Sequence, residues 1–329
     1  MRKTLIILLI FFLFSSCGNN LKQKQLDVAI IGKTDDSYWN DVKTGAESAG
    51  KDLGVNVKFY VPQKQDPAWQ IRKLEEIIGK SIDGVAVAPS DPKSITSLMT
   101  SIVQSDIPCL ALETDVAKGR HAYIGTGNYY AGQQAGEAMI EVLNSIGKIA
   151  IITDPSVPDF LQRVQGFKDA IAEHENFSVA VTLEKPYYDI QPADIESMLG
   201  IDGKTTGKSV NPEINSIFCV SDSIGLIVAK ALKKANKTEQ IKVVCIGESP
   251  DVMKAVSENS IQVAISRRPY RLGYSCVLVL HNMIKAGINN TLMILPKSEI
   301  IDPGVVVLTP SNIGGYKEQL IKRGIKVKF

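Results

Sequence analysis

Residues 55–88 read VNVKFYVPQKQDPAWQIRKLEEIIGKSIDGVAVA and hold one complete unit of the fold. VNVKFY (55–60) and GVAVA (84–88) are short runs rich in β-branched and apolar residues, the composition of buried strands. Between them Ile71, Leu74, Ile77 and Ile78 recur at helical spacing and share one face. Asp66 and Pro67 stand ahead of that face as helix cap and first-turn residue. Strand, helix and strand in this order belong to a parallel sheet, with a right-handed crossover between them.

The same alternation runs along the rest of the chain. DVAII (27–31), IPCLAL (107–112), KIAIIT (148–153), VAVTL (179–183), NSIFCV (215–220), KVVCI (242–246) and QVAIS (262–266) read as further strands. Helices are expected near 40–52, 92–105, 129–146, 160–174, 223–236 and 270–286. Continuous apolar strands alternating with helices predict an α/β fold whose parallel sheets are covered on both faces. The units are too many for one compact sheet. A first set ends near 125 and a second runs from about 148 to 266, with no Pro-, Gly- or Ser-rich linker between them. The predicted boundary is therefore a short crossing strand. Ligands of open α/β sheets bind beyond the carboxyl ends of the strands, so two facing lobes would enclose a cleft.

The N-terminus bears on where the protein works. MRKTLIILLIFFLFSSCGNN (1–20) has a positive head at Arg2 and Lys3, an unbroken apolar run from Ile6 to Phe14, and small residues before Cys17. This is the layout of a secretory signal over 1–16. The cysteine directly after Ser15 and Ser16 resembles a bacterial lipobox, although Phe14 stands where leucine is commoner. That resemblance implies lipidation of Cys17, a stalk over 17–25 and attachment to a membrane through the lipid. An ordinary signal peptide containing a cysteine, or a transmembrane anchor, is the alternative; the apolar run falls short of the about 20 residues a span needs. Outside the cytoplasm, chemistry fed by ATP or NAD is not expected.

Composition is that of a globular protein: 329 residues, 44% hydrophobic, enough to bury two cores. The 37 basic residues outnumber the 35 acidic ones by two, and loss of Arg2 and Lys3 with the signal balances them. A neutral mature protein lacks the electrostatic footprint of a nucleic-acid binder. Cys17, Cys109, Cys219, Cys245 and Cys276 show no metal spacing, and His121, His174 and His281 form no ligand set, so no metal or cofactor is expected. Cys219 and Cys245 fall in strand-like runs, where they are either a disulfide or two buried thiols.

Function should be read at the strand ends. After DVAII comes GKTDDSYWND (32–41). Gly32-Lys33-Thr34 suggests a phosphate loop, but that motif needs a glycine where Asp27 stands. What remains is a polar turn followed by Tyr38 and Trp39. Carboxylates accept hydroxyl hydrogen bonds, and aromatic faces cover the C–H face of a sugar ring. Trp39 either does this or anchors the next helix to the core.

At these residues the chain resembles bacterial periplasmic sugar-binding proteins of the ribose-binding type. TDDSYWNDVKTGAESAGKDLGVNV is similar to the family's opening, and DGVAVAPSDPKSI fits its next strand and Pro turn. IPCLALETDVAKGRHAYIGTGNYYAGQQAG is the closest stretch: Glu113, Thr114 and Asp115 take the acidic, small polar and Asp positions, followed by the Tyr-Ile-Gly-Thr-x-Asn pattern from Tyr123 to Asn128. Arg163, Gly166 and Phe167 supply the Arg-x-x-Gly-Phe pattern, FCVSDSIGLIVAKAL fits the strand and helix carrying an Asn-Asp pair, and RRPYRLGYSCVLVL and IDPGVVVLTPSN fit the closing segments. The resemblance covers about 26 to 312.

It implies two Rossmann-like lobes of periplasmic-binding-protein type I, joined by three crossings near Thr126, Arg267 and Ile300. The N-terminal lobe would be 26–126 plus 268–298, the C-terminal lobe 127–267 plus 299–329. A monomer that closes by hinge motion and docks on an ABC permease is expected. Tyr38 and Trp39 would stack on the sugar ring, with Asp36 just before them; Glu113 would accept two hydroxyls, beside Thr114 and Asp115; Tyr188 would cover the opposite ring face. Ser221 stands where Asn is usual, with Asp222 next, and Arg163 either touches ligand or braces the fold.

Two departures bear on the ligand. The family's late aspartate falls on Gly247, with Glu248 beside it as a substitute acceptor, and its hinge glutamine falls on Arg267. Arg267 either binds the carboxylate of a sugar acid or pairs with Glu248 or Glu113. The function classes are a transport-linked binding protein for a monosaccharide, polyol or sugar acid, a ligand-presenting subunit of a membrane kinase or chemoreceptor, and an extracytoplasmic glycoside-acting enzyme using Glu113 and Asp222. The first is expected, and no enzymatic activity.

Overall fold

The computed structural model describes residues 25–200 and 214–327. The predicted signal, Cys17 and all of the predicted stalk except Gln25 lie outside these residues. In chain order the elements are β1 (Leu26–Ile31), α1 (Ser37–Leu53), β2 (Val55–Tyr60), α2 (Pro67–Ile78), β3 (Gly84–Val87), α3 (Pro92–Gln104), β4 (Cys109–Leu112), β5 (Ala122–Ile124), α4 (Asn128–Leu143) and β6 (Gly147–Thr153). They continue with α5 (Pro158–Ala172), β7 (Phe177–Glu184), α6 (Pro192–Leu199), β8 (Ser216–Cys219), α7 (Asp222–Lys234), β9 (Lys242–Ile246), α8 (Pro250–Ser257) and β10 (Val263–Ser266). The last are α9 (Pro269–Ala286), α10 (Ile288–Ile294), β11 (Ile300–Ile301), β12 (Val306–Leu308) and α11 (Ile313–Lys322).

Two six-stranded sheets result, ordered β11-β5-β4-β3-β1-β2 and β12-β10-β9-β8-β6-β7. The second repeats the strand order of the first. Strands pair in parallel except β10 with β12, which run antiparallel. The apolar strand runs explain this: Val28–Ile31 and Ile149–Ile152 are fully buried, so each sheet must be covered on both faces. In the first lobe one face packs α1 and α9, through Trp39, Val42, Leu272 and Leu280, and the other packs α2 and α3, through Leu74, Ile95 and Met99. A single larger cluster fills the second lobe around Phe167 and Phe218, stacked 4.1 Å apart. Cys219 and Cys245 sit opposite each other on β8 and β9 as free buried thiols.

Asp66 caps α2 by accepting from the Trp69 N–H at 2.9 Å, and Pro67 opens the helix. Asp36 does the same for α1, accepting from the Trp39 N–H at 3.0 Å.

Three chain crossings join the lobes: Gly125–Gly127 after β5, Arg267–Arg268 after β10, and Asp302–Val305 between β11 and β12. They are tied to one another. Gly125 N–H donates to Ile301 O at 3.1 Å, Gly127 N–H to Asp302 Oδ2 at 3.0 Å, and the Thr126 hydroxyl to Arg267 O at 3.4 Å. The third crossing departs from the expected position. Ile300 and Ile301 pair with Tyr123 and Ile124 as the edge of the first sheet, so residues up to 301 belong with the first lobe, not the second. The backbone of β5 would otherwise present an unpaired edge there.

Candidate functional site

The site begins at the carboxyl end of β4. Glu113 leaves that strand in the left-handed region, φ 57°, and its carbonyl accepts from the Tyr123 hydroxyl at 3.0 Å. This turns its side chain toward the end of β1, two strands away in the sheet. There Lys33 places its ammonium 2.7 Å from Glu113 Oε2 and 2.5 Å from Thr114 Oγ1. Burial alone would raise the Glu113 carboxyl, but the Lys33 and Arg267 charges outweigh it and hold it down at about 2.

The second lobe answers with the ends of β8, β9 and β10. Arg267 follows β10 and bridges the lobes: Nη1 lies 3.1 Å from Glu113 Oε1, and Nη2 lies 2.8 Å from Glu248 Oε1. Its backbone N–H donates to the other Glu248 oxygen at 2.7 Å. The guanidinium carbon also stands 4.5 Å from the centre of the Tyr38 ring, covering that aromatic face. Burial opposes the Arg267 charge, yet Glu248, Tyr38 and Glu113 raise its pKa well above the ordinary value.

Asp222 opens α7 and accepts from the Ser249 N–H at 3.1 Å. A Cβ at position 247 would fall 2.1 Å from Asp222 Oδ1, so the glycine lets this carboxylate take the space that a side chain there would fill. Burial, and after it Glu248, pushes Asp222 up to about 6. Arg163 is brought in by α5, which approaches α4 closely through Gly132 and Gly166. Its Nε donates to Asn128 Oδ1 and its Nη1 to Val220 O, both at 2.8 Å. Burial and the neighbouring Arg267 lower its pKa to about 10. Two carboxyls face the cluster from opposite lobes. Asp41 of α1 is pushed up to about 7 by burial and Glu248, and Asp159 of α5 is raised by burial and Glu113.

Tyr38, Glu113, Thr114, Arg163, Asp222, Glu248 and Arg267 therefore converge between the lobes. The remaining predicted residues do not join them. Trp39 is 3% exposed and belongs to the first lobe's core, where a Cβ at Gly32 would strike its ring; it meets Tyr38 edge-on at 5.5 Å. Of its two sequence readings the structure supports the helix anchor. Asp36 is spent on the α1 cap and the Thr34 hydroxyl. Asp115 is gripped by Arg120, through Nε at 2.5 Å and Nη2 at 2.9 Å, within its own loop. Tyr188 is 70% exposed and packs edge-on against Tyr187 at 5.5 Å; the aromatic beside Arg163 is Phe160, 5.3 Å from its guanidinium. The Ser221 hydroxyl pairs with that of Ser223 at 3.2 Å.

Sequence reasoning missed Lys33, Asp41, Asn128 and Asp159. Lys33 carried a usable signal: it stands two residues past β1, at the same carboxyl end of the sheet as Glu113. The gaps left between the lobes are small, 0 and 10 Å³, less than one water needs. Ion pairs fill the centre of the cleft. Among the described residues no cluster of three metal-ligating side chains occurs, and no helix is long and apolar enough to cross a membrane.

A family model described as a periplasmic binding protein domain matches residues 28–288. The chain belongs to this family. It is 21% identical over 287 residues to the ribose import binding protein of Escherichia coli, covering 87% of this chain and 93% of that one. The D-allose-binding periplasmic protein of the same organism is 24% identical over 288 residues, with 84% and 90% covered. Among solved structures, an ABC-transporter solute-binding protein of Burkholderia graminis in complex with D-arabinose is 29% identical, with a TM-score of 0.72 over 88% of this chain and 97% of that one. By their names these relatives are binding proteins, and the solved one shares the two-lobed α/β architecture described above.

Proposed function

We propose that this periplasmic binding protein captures a monosaccharide or close relative between its lobes and delivers it to an ABC importer, tethered to the membrane by lipid on Cys17. The observation that carries this is the convergence of Glu113 and Tyr38 from one lobe with Glu248, Asp222 and Arg163 from the other at facing strand ends. Carboxylates and arginines around an aromatic face suit a polyhydroxylated ring, whose hydroxyls both donate and accept. The names of the relatives, ribose-, allose- and arabinose-binding, support the same ligand class.

The charge balance favours a neutral sugar over a sugar acid. Arg267 already has two carboxylate partners and Lys33 has one. A ligand carboxylate would have to compete with both glutamates for Arg267, whereas neutral hydroxyls can exchange with these bonds one at a time. Entry requires the lobes to part and Arg267 to leave the Tyr38 face, because the gaps present are smaller than a water. A ring stacked on Tyr38 would then hold Glu113 and Glu248 in register across the hinge.

A thermal-shift screen of pentoses, hexoses, polyols and sugar acids on the mature protein tests this, since tight ligands raise the melting temperature by mass action. A stabilising neutral aldose is the expected result. Failure of every carbohydrate to shift the transition would remove the sugar assignment.

A further inference from the structure

Beside the cleft lies a larger cavity of about 430 Å³, bounded by α1 and α9 of the first lobe and by β12 and α11 of the second. Its size falls in the range of small-molecule sites. Asp41 stands on the border between it and the sugar cleft. Its walls are aromatic and basic. Tyr270 and Tyr274 stack with centres 6.3 Å apart, Arg323 lies 5.2 Å over Tyr270, and Tyr316 is fixed by the Ser266 hydroxyl at 3.0 Å.

Three guanidinium groups, of Arg268, Arg271 and Arg323, line this one space. Among the described residues none of them has an ion-pair partner. The hydrogen bond of the Arg268 guanidinium goes to Pro303 O, at 3.4 Å. The contrast with the cleft is direct, since Arg267 and Lys33 there are matched by carboxylates. The acid on the cavity wall, Asp41, is pushed up to about 7, so at neutral pH it carries only part of a negative charge against three arginines. Guanidinium forks match carboxylate and phosphate oxygens in two-bonded geometry, and stacked tyrosines offer a flat surface to a ring.

We propose that this cavity is a second binding site, taking a small organic anion that joins a phosphate or carboxylate group to a planar ring. The anion would be held by Arg268, Arg271 and Arg323 and its ring by Tyr270 and Tyr274. Because the walls come from both lobes, occupancy bridges the hinge from outside the sugar cleft. The site is separate from that cleft, so its test does not depend on the sugar reading.

Isothermal titration of the mature protein with phenyl phosphate, benzoate and inorganic phosphate, at low salt, tests the proposal. Phenyl phosphate or benzoate should bind saturably at one site, and phenyl phosphate should bind more tightly than inorganic phosphate. The double variant Arg271→Ala/Arg323→Ala should weaken binding by roughly tenfold or more, the effect of losing one or two charge-assisted hydrogen bonds. Both side chains are exposed, so the variant should fold, which its unchanged melting temperature would establish. Absence of saturable binding by all three probes, or equal binding by the double variant, overturns the site. Equal affinity for inorganic and phenyl phosphate, as would hold for an adventitious ion only, overturns the aromatic part.

Discussion

Arg267 Nη1 and Glu113 Oε1 lie 3.1 Å apart, although one residue follows the last parallel strand of the second lobe and the other ends a strand of the first. With Glu248 on its other nitrogen at 2.8 Å, Arg267 is the side chain through which the two lobes share charge. Removing one partner of a buried ion pair leaves the other uncompensated, whereas an apolar replacement of the whole set can be neutral. Arg267→Met should therefore destabilise the protein by about 3 kcal/mol in urea unfolding. Adding Glu248→Leu should recover part of that loss. A single variant as stable as the wild type would show that the bridge contributes nothing net.

Lys33 should govern affinity as well as stability. Its ammonium holds Glu113 and Thr114 together, so Lys33→Met frees a carboxylate oxygen and removes one of the two main cations that keep it ionised. The expected effect is a change of about tenfold in the dissociation constant for whichever sugar the screen identifies, the scale of one charge-assisted hydrogen bond. Titration calorimetry reads it. Identical affinity would exclude Lys33 from the ligand's surroundings.

Trp39 is a core residue, and its replacement should act on folding. Trp39→Ala is expected to cost about 3–5 kcal/mol of stability, the range for a large buried aromatic. Tyr38→Ala should instead weaken sugar binding while costing less stability. If Trp39→Ala leaves the urea midpoint unchanged and abolishes binding, the indole faces the ligand.

The pH dependence follows from opposite shifts. Asp222 and Asp41, raised from 3.8 to about 6 and about 7, favour their neutral forms in the fold. Their contribution is full below 3.8 and is lost as pH rises through about 6 and about 7. Glu113, lowered from 4.5 to about 2, contributes fully above 4.5 and loses its contribution as pH falls through about 2. The melting temperature should thus fall between about pH 4.5 and about pH 7, and Asp41→Asn should flatten that decline. A melting temperature that rises over the same interval would contradict the raised values. The groups facing Asp41 are Glu248 and Asp222 across the cleft and Arg268 at the hinge.

Much of this was legible in the chain. All nine strands read from apolar runs are present, with ends within two residues, because most are buried on both faces and even the partly exposed edge strands β2 and β7 carry their signal in composition. The two- and three-residue strands β5, β11 and β12 were not, being too short to show a period. The short helices α6, α8, α10 and α11, of seven to ten residues, escaped for the same reason. At the site, Glu113, Asp222, Glu248 and Arg267 were found through the resemblance to ribose-type binding proteins, and each stands within three residues of a strand's carboxyl end, where the topology places the cleft. Trp39 and Tyr188 were misplaced because an aromatic at a strand end can turn toward core, cleft or solvent, and only packing decides. Asp115 was misplaced because its partner Arg120 lies in the same loop, where sequence carries no geometry.

The most direct test of the interlobe sugar site is titration calorimetry of matched neutral aldoses and their uronic acids on the wild type, Glu113→Ala and Arg267→Gln. One neutral aldose should bind with a stoichiometry of one, more tightly than its uronic acid, and Glu113→Ala should lose that binding. Binding of a uronic acid in preference, abolished by Arg267→Gln, would contradict the internal pairing of Arg267, and aldose binding that survives Glu113→Ala unchanged would contradict the site itself.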